Sequence, residues 1–370
     1  MQQVLFHVPI IGLPLYGYGF MLLCAYVGCT LLAIRLGRRA GLPSEPFWDL
    51  AMWLFLTGVL GARLTYIVQY GNRFQGWGQY FAVWDGGLVF YGSILGAIVG
   101  YFIVYTRQFK KYGVPHWKML DIIAPCLALG LCLGRIGCLL NGCCYGNVMC
   151  GHGLGMSFPM SGPPQEELVA LGYQTTAGYL TNPATNQVRA VEPHSAAAAA
   201  GLEPGDTIEK VKADGKTVRA PFARDDWPRG EQAVELEVRT PNGAAKTIGP
   251  FTPRSLPLHP AQVYESISMA LLLFFLVSYY PYNKHDGALM VLFMYGYGIH
   301  RFLNEMLRID NEVVAFNMTL SQNVSLAVLI GAVILTPIVW RRRPVLAASD
   351  MPAAQPQAAA MPDPASTISN

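Results

Sequence analysis

Seven apolar runs, each near the length of a bilayer-spanning helix, leave this chain few soluble folds to adopt. They cover about 17–36, 48–68, 88–105, 120–140, 264–280, 287–302 and 320–340. A helix rises about 1.5 Å per residue, so about 20 residues cross the hydrocarbon layer, and the fifth and sixth runs stand near the short limit. Lipid offers no partner for backbone N–H and C=O groups, so such spans must be helical. Of 370 residues, 52% are hydrophobic and only 13% charged, which excludes an ordinary soluble enzyme. The net charge of +3 is too small to point to nucleic acid. The expected fold class is an all-α polytopic membrane protein with seven transmembrane helices.

Loop charge orients the bundle. Arg35, Arg38 and Arg39 follow the first run, and Arg107, Lys110, Lys111 and Lys118 follow the third. Lys284 follows the fifth, and Arg341, Arg342 and Arg343 follow the seventh. With seven spans all four groups share one face, which the positive-inside rule makes cytoplasmic. The N-terminus is then outside and the C-terminus inside. No charged n-region with an A-x-A site opens the chain, so no cleaved signal peptide is expected. Residues 1–146 read as spans one to four, 147–258 as an extracytoplasmic head, and 259–343 as spans five to seven. The Ala/Pro-rich stretch 344–370 reads as a disordered cytoplasmic tail.

The head has a different composition. Gln187–Ser195 reads as a strand, Ala196–Ala200 as a short helix stopped by Gly201, and Thr207–Val211 as a second strand. Asp214-Gly215 marks a turn, and Ala233–Arg239 with Pro241-Asn242-Gly243 reads as a strand entering a hairpin. This order resembles the core of a PDZ domain over about 187–249, a small α+β insert. No clear peptide-carboxylate loop is present, which favours a structural cap over a peptide-binding module.

Polar residues gather where the outward span ends fall. Leu133–Gly146 closes the fourth run with Arg135 and Asn141 among Gly134, Gly137, Gly142 and Gly146. An arginine at membrane depth costs about 3 kcal/mol even on lenient scales, so it takes a partner or an anion. A snorkelling arginine amid small packing residues is the plain alternative. Tyr16–Met21 opens the first run, Val83–Gly92 opens the third, and Tyr295–Arg308 closes the sixth. In the last of these, Tyr297, Arg301, Glu305 and Arg308 share one helix face, although Arg301 and Glu305 also suit a simple i,i+4 ion pair. Several polar ends at one depth argue for a common polar cavity.

Together these segments resemble the prolipoprotein diacylglyceryl transferase family. Gly134–Gly146 is similar to its motif G-R-[LI]-G-N-F-x-N-x-E-x-x-G. Further matches are Tyr18-Gly19-Phe20-Met21, Trp84–Gly92, His259–Glu265 and the Y-G-x-x-R-x-x-x-E-x-x-R stretch from Tyr297 to Arg308. The resemblance covers nearly all of 1–340 apart from the PDZ-like insert. It implies transfer of a diacylglyceryl group from phosphatidylglycerol to the lipobox cysteine of a prolipoprotein, with release of glycerol 1-phosphate. It implies a bacterial inner-membrane location within the lipid bilayer, no cofactor and no metal. The catalytic residues carried over are Arg135, Arg301, Tyr91 and Glu305. Arg135 and Arg301 would hold the phosphate, with Tyr18, Asn141, Gly146 and Tyr297 shaping the pocket.

Three positions depart from the family pattern. Tyr91 stands for its usual histidine, Cys138 for the first motif asparagine and Cys143 for the motif glutamate. Loss of that glutamate leaves Glu305 as the remaining counter-charge for Arg135. A thiol with pKa near 8.5 is about a tenth ionised near pH 7.5, so complete deprotonation gains only about 1.4 kcal/mol. A well-placed donor to the departing phosphate gains about 3 kcal/mol or more, so the arginines outweigh any base. A lapsed relative that binds lipid or lipoprotein without transfer is the alternative. Cys138, Cys143, Cys144 and Cys150 are spaced C-x4-C-C-x5-C, which fits no standard zinc knuckle pair even with His152 nearby. A disulfide from Cys143 or Cys144 to Cys150 is the expectation in an oxidising compartment. No H-E-x-x-H or G-x-S-x-G occurs, against a metalloprotease or serine hydrolase.

Overall fold

A computed structural model describes residues 4–7, 12, 14–73, 76–82, 87, 89–149, 154–160, 162–182, 184–213, 215–218, 233–308 and 313–342. Val83–Gly86, Leu88, Cys150, His152, Asp214 and the expected tail lie outside these residues. The described helices are α1 (Gly17–Arg39), α2 (Glu45–Tyr70), α3 (Trp77–Phe81), α4 (Phe90–Arg107), α5 (His116–Asn141), α6 (Pro163–Ala170), α7 (Ala196–Ala199), α8 (Ala261–Tyr279), α9 (Ala288–Glu305) and α10 (Leu320–Trp340). Each apolar run holds one of the long helices, displaced by a few residues at either end. By length and composition, α1, α2, α5, α8 and α10 can each cross a membrane, so the chain is a mostly helical, polytopic membrane protein. The last turns of α9 are polar because His300, Arg301, Asn304 and Glu305 fall there, and α4 is only 18 residues long.

Helix α1 packs on α5, α5 on α8, α9 on α10, and α2 on α4. Helices α2 and α4 approach closely. A Cβ on Gly92 or Gly96 would strike Thr65 and Gly61 or the Thr57 backbone, and one on Gly100 would strike Thr57 Oγ1. Glycines every fourth residue thus let the two backbones touch, as small residues do where lipid supplies no hydrophobic drive between helices.

Helix ends are sorted. At one end the Tyr280 hydroxyl donates to the Leu36 carbonyl at 3.2 Å, Lys118 pairs with Asp286 at 3.6 Å, and Arg342 lies 4.4 Å over the Trp117 ring. Phe47 and Phe109 meet there too, with ring centroids 5.1 Å apart. The basic clusters therefore sit together, and the polar segments around Arg135 lie at the opposite end.

Asp121 fixes α9 from the basic end. It is fully buried in the second turn of α5. Its carboxylate accepts from the backbone N–H groups of Gly287 (2.8 Å), Leu289 (2.9 Å) and Met290 (3.3 Å), and from Asn283 Nδ2 (2.8 Å). No side chain of its own caps α9. An α5 carboxylate takes that part, with the helix dipole favouring the negative charge.

The strands are β1 (Val4–His7), β2 (Pro14–Tyr16), β3 (Tyr179–Thr181), β4 (Val188–Val191), β5 (Thr207–Ala213), β6 (Lys216–Val218), β7 (Val234–Arg239), β8 (Ala245–Phe251), β9 (Val313–Ala315) and β10 (Met318–Thr319). The β1–β2 and β9–β10 hairpins have no counterpart in the sequence reading. Between α5 and α8, β3 pairs with β4, and an antiparallel sheet runs in the order β6-β5-β7-β8. Val211, Leu236, Ile248 and Ala197 share its core. Ser195 caps α7 by accepting from the Ala198 N–H at 3.1 Å. The strand–alanine helix–strand–hairpin order read from the sequence is present. The chain leaves and re-enters the helices side by side: the Gly146 N–H donates to the His259 carbonyl at 2.8 Å, and Val148 and Met156 both bridge Leu258.

Asp121→Ala should cost about 3 kcal/mol, since it strips a cap and several bonds to a charged acceptor. Asp121→Asn should lose about half of that. Unfolding in detergent measures both, and an Asp121→Ala protein as stable as the parent would refute this role.

Candidate active site

Three helix ends, those of α5, α8 and α9, meet at one carboxylate. Glu265, in the second turn of α8, is 1% exposed. Its Oε1 lies 3.0 Å from Arg135 Nε, near the end of α5. Its Oε2 lies 3.5 Å from Arg301 Nη1 and accepts from Asn304 Nδ2 at 3.2 Å. One carboxylate thus holds two guanidinium groups, one per oxygen. Arg301 also pairs with Glu305 at 2.9 Å, the i,i+4 geometry open in the sequence. Two arginines and two glutamates balance in charge, which a site shielded from water requires.

The start of α10 completes this cluster. Thr319 Oγ1 accepts from the Gln322 N–H at 3.2 Å while the Gln322 side chain accepts from the Thr319 N–H at 3.0 Å, a capping box. The same hydroxyl donates to Glu305 Oε1 at 2.9 Å, and Arg301 Nη2 donates to Ser321 Oγ at 2.8 Å. The close approach depends on Gly298, where a Cβ would lie 2.9 Å from Leu329. Arg135 meets its carboxylate through Nε. Its two terminal nitrogens make no hydrogen bond among the described residues and hold four N–H donors for an anion.

Tyr297 lies within electrostatic reach of Arg301, Glu265, Arg135 and Tyr91, and its ring stacks on Phe293 at 5.7 Å. Tyr91, at the start of α4, is 37% exposed. Tyr18, in the first turn of α1, stands beside Arg135 and the thiols of Cys138, Cys143 and Cys144. Gly137 admits it, since a Cβ there would lie 3.1 Å from the ring. Asn141 is the last residue of α5 and bonds Cys143. Gly146 is closely packed: a Cβ would sit 2.6 Å from His259 Cβ and 2.8 Å from the Leu307 carbonyl. At the end of α5 the Cys143 thiol donates to the Cys138 carbonyl at 3.7 Å, and the neighbouring Cys138 and Cys143 thiols, with Arg135 and Arg308 nearby, hold the Cys144 thiol below the ordinary range against the opposing effect of burial.

The counter-charge of Arg135 is a correction to the sequence reading. Glu265 pairs with it, whereas Glu305 is turned to Arg301 and Thr319. Glu265 was visible as an acid at the start of an apolar run, but its partners lie on other spans. Arg63 was also missed. It is buried on α2 and donates to the carbonyls of Tyr80 and Gly87, both at 3.1 Å, and of Gln79, which ties down the segment leading to Tyr91. Cys143 and Cys144 are free thiols, and the expected partner Cys150 lies outside the described residues.

Helix ends that enclose two arginines bridged by a buried carboxylate define a polytopic membrane protein with a charged site inside its apolar body. The chain belongs to the prolipoprotein diacylglyceryl transferase family, whose model matches residues 3–338. It is 29% identical to the phosphatidylglycerol–prolipoprotein diacylglyceryl transferase of Rhodopirellula baltica, over 90% of this chain and 73% of that protein. It is 25% identical to a transferase 2 of the same description from Clostridium perfringens, over 88% of this chain and 91% of the relative. The Bdellovibrio bacteriovorus transferase is 27% identical over 90% of each chain.

Glu265→Gln should destabilise the protein by about 3 kcal/mol, because two buried guanidiniums lose the charge between them. Inorganic phosphate should then raise the unfolding temperature of the variant more than that of the parent. An equal response in both proteins would remove Glu265 from this balance.

Proposed function

We propose that the chain transfers the diacylglyceryl group of phosphatidylglycerol to the lipobox cysteine thiol of a prolipoprotein. The thiol sulfur forms a thioether bond to the glyceryl carbon, the carbon–oxygen bond to phosphate breaks, and glycerol 1-phosphate leaves as the thiol proton passes to solvent or a base. The observation that carries this reading is the single Glu265 carboxylate holding Arg135 and Arg301. It fixes two planar donors about one point while the terminal nitrogens of Arg135 remain for phosphate oxygens. As the leaving phosphate gains charge, preorganised donors stabilise it without reorganising. The names of the relatives, which state this donor and this acceptor, support the same conclusion.

On this reading α4 and α9 complete seven spans in the bacterial inner membrane. The basic helix ends face the cytoplasm, and the residues between α5 and α8 lie outside as a PDZ-like cap. The lipid enters with its phosphate at the free terminal nitrogens of Arg135, beside Arg301, and its acyl chains among the helices. Tyr297 and Tyr18 border the phosphate, and Tyr91 approaches from α4.

Transfer of labelled lipid from phosphatidylglycerol to a lipobox peptide by purified protein tests the proposal. Arg135→Ala and Arg301→Ala should each abolish it. Arg135→Lys should retain little, since an ammonium keeps the charge but loses the fork. Lipid binding with no transfer by the parent protein would establish instead a relative that has lost its chemistry.

Tyr91→Phe separates two roles. If the hydroxyl only donates to the phosphate, the variant should slow about ten- to a hundredfold, a loss of about 1.5–3 kcal/mol, at every pH. Rescue between about pH 7 and pH 9, where the substrate thiol ionises unaided, would make Tyr91 the base.

A further inference from the structure

The end of α5 brings three thiols together. Gly142 closes the helix in the left-handed region at φ 76°, and the N–H groups of Gly142 and Cys143 both donate to the Cys138 carbonyl, at 2.9 and 3.1 Å. Cys144 is itself left-handed, at φ 61°, a conformation that costs a non-glycine residue about 1–2 kcal/mol. The double turn folds the chain back over the last turn of the helix. The sulfurs of Cys138, Cys143 and Cys144 consequently lie within 4.8 Å of one another. All three are free thiols and partly buried. Their spacing in the sequence makes no knuckle pair, so the helix cap, not the spacing, builds the cluster.

We propose that Cys138, Cys143 and Cys144 form a binding site for one soft d10 cation, of the class of Zn2+ or Cu+. Thiolates select such ions over the hard cations that prefer oxygen. Metal–sulfur bonds of about 2.3 Å set sulfurs about 3.8–4.0 Å apart, so the three need to close by at most about 1 Å. Each thiol releases its proton to solvent as it binds. A divalent ion on three thiolates leaves one negative charge, and Arg135 and Arg308 lie beside Cys144 to balance it. Tyr18, which borders all three sulfurs, would flank the ion. This site is separate from the arginine–glutamate cluster and does not depend on the transfer reaction, although the Arg135 charge lies near both.

The test uses the full-length protein in detergent, reduced and stripped with chelator, then titrated with Cd2+ as the probe. One equivalent should bind per chain, with thiolate-to-metal charge-transfer absorption in the ultraviolet. Cys143→Ser and Cys144→Ser should each weaken binding at least tenfold, and Cys24→Ser, on α1, should not change it. Should these variants fail to fold, the parent protein still decides: bound Cd2+ should protect Cys138, Cys143 and Cys144, but not Cys24, from alkylation mapped by mass spectrometry. Absence of saturable binding, unaltered affinity in the cysteine variants, or equal alkylation with and without Cd2+ would overturn the proposal. A disulfide among these three sulfurs in protein isolated without reductant would overturn it as well, in favour of thiol oxidation.

Discussion

The buried Glu265 carboxylate is the interaction on which the rest of this protein's polar interior depends. Neither arginine is tolerable alone at membrane depth, and their mutual repulsion would push α5 and α9 apart. A single acid between them ties three helices at one point, with one oxygen for each guanidinium. Balance is reached only when Glu305 joins Arg301, and Glu305 in turn is held by the hydroxyl that caps α10. The four helices are therefore coupled through charge at one end, beyond their apolar packing.

A charge cluster of this kind needs its helices held in axial register, and the far end supplies that. Asp121 reaches from α5 to the first N–H groups of α9, so α9 is pinned at its start while Arg301 is pinned near its finish. A slip of one residue would carry Arg301 about 1.5 Å along and about 100° around the axis, away from Glu265. The two buried carboxylates thus act on the same pair of helices from opposite ends. The glycine contact of α2 with α4 does the corresponding work for the segment bearing Tyr91, aided by the three carbonyls that Arg63 gathers.

Much of this was legible in the sequence, and the exceptions have a common cause. Apolar run length locates the long helices within a few residues, because hydrocarbon thickness acts on each segment separately. The i,i+4 pair of Arg301 with Glu305 was equally accessible, being local. Glu265 and Asp121 were not, because their meaning lies in groups 36 to 169 residues away in the chain. The cysteines show the same limit. Their spacing matched no metal motif and suggested a disulfide, yet a left-handed helix cap makes neighbours of three thiols that the spacing alone kept apart. Between α5 and α8, turns are local signals, and Gly201 and Gly243 mark the helix stop and the hairpin as read, whereas Ser195, read into a strand, caps α7 instead.

The neck between α5 and α8 has an evolutionary consequence. Because Gly146 and Val148 run beside His259 and Leu258, the chain between them leaves and returns through two adjacent segments, like a drawn purse. Lengthening an unconstrained loop already costs only about 0.6 kcal/mol per doubling, and a tied neck with its own folded core beyond it reduces even that. Descent can therefore swap, enlarge or erode this appendage without moving the helix ends that the neck joins.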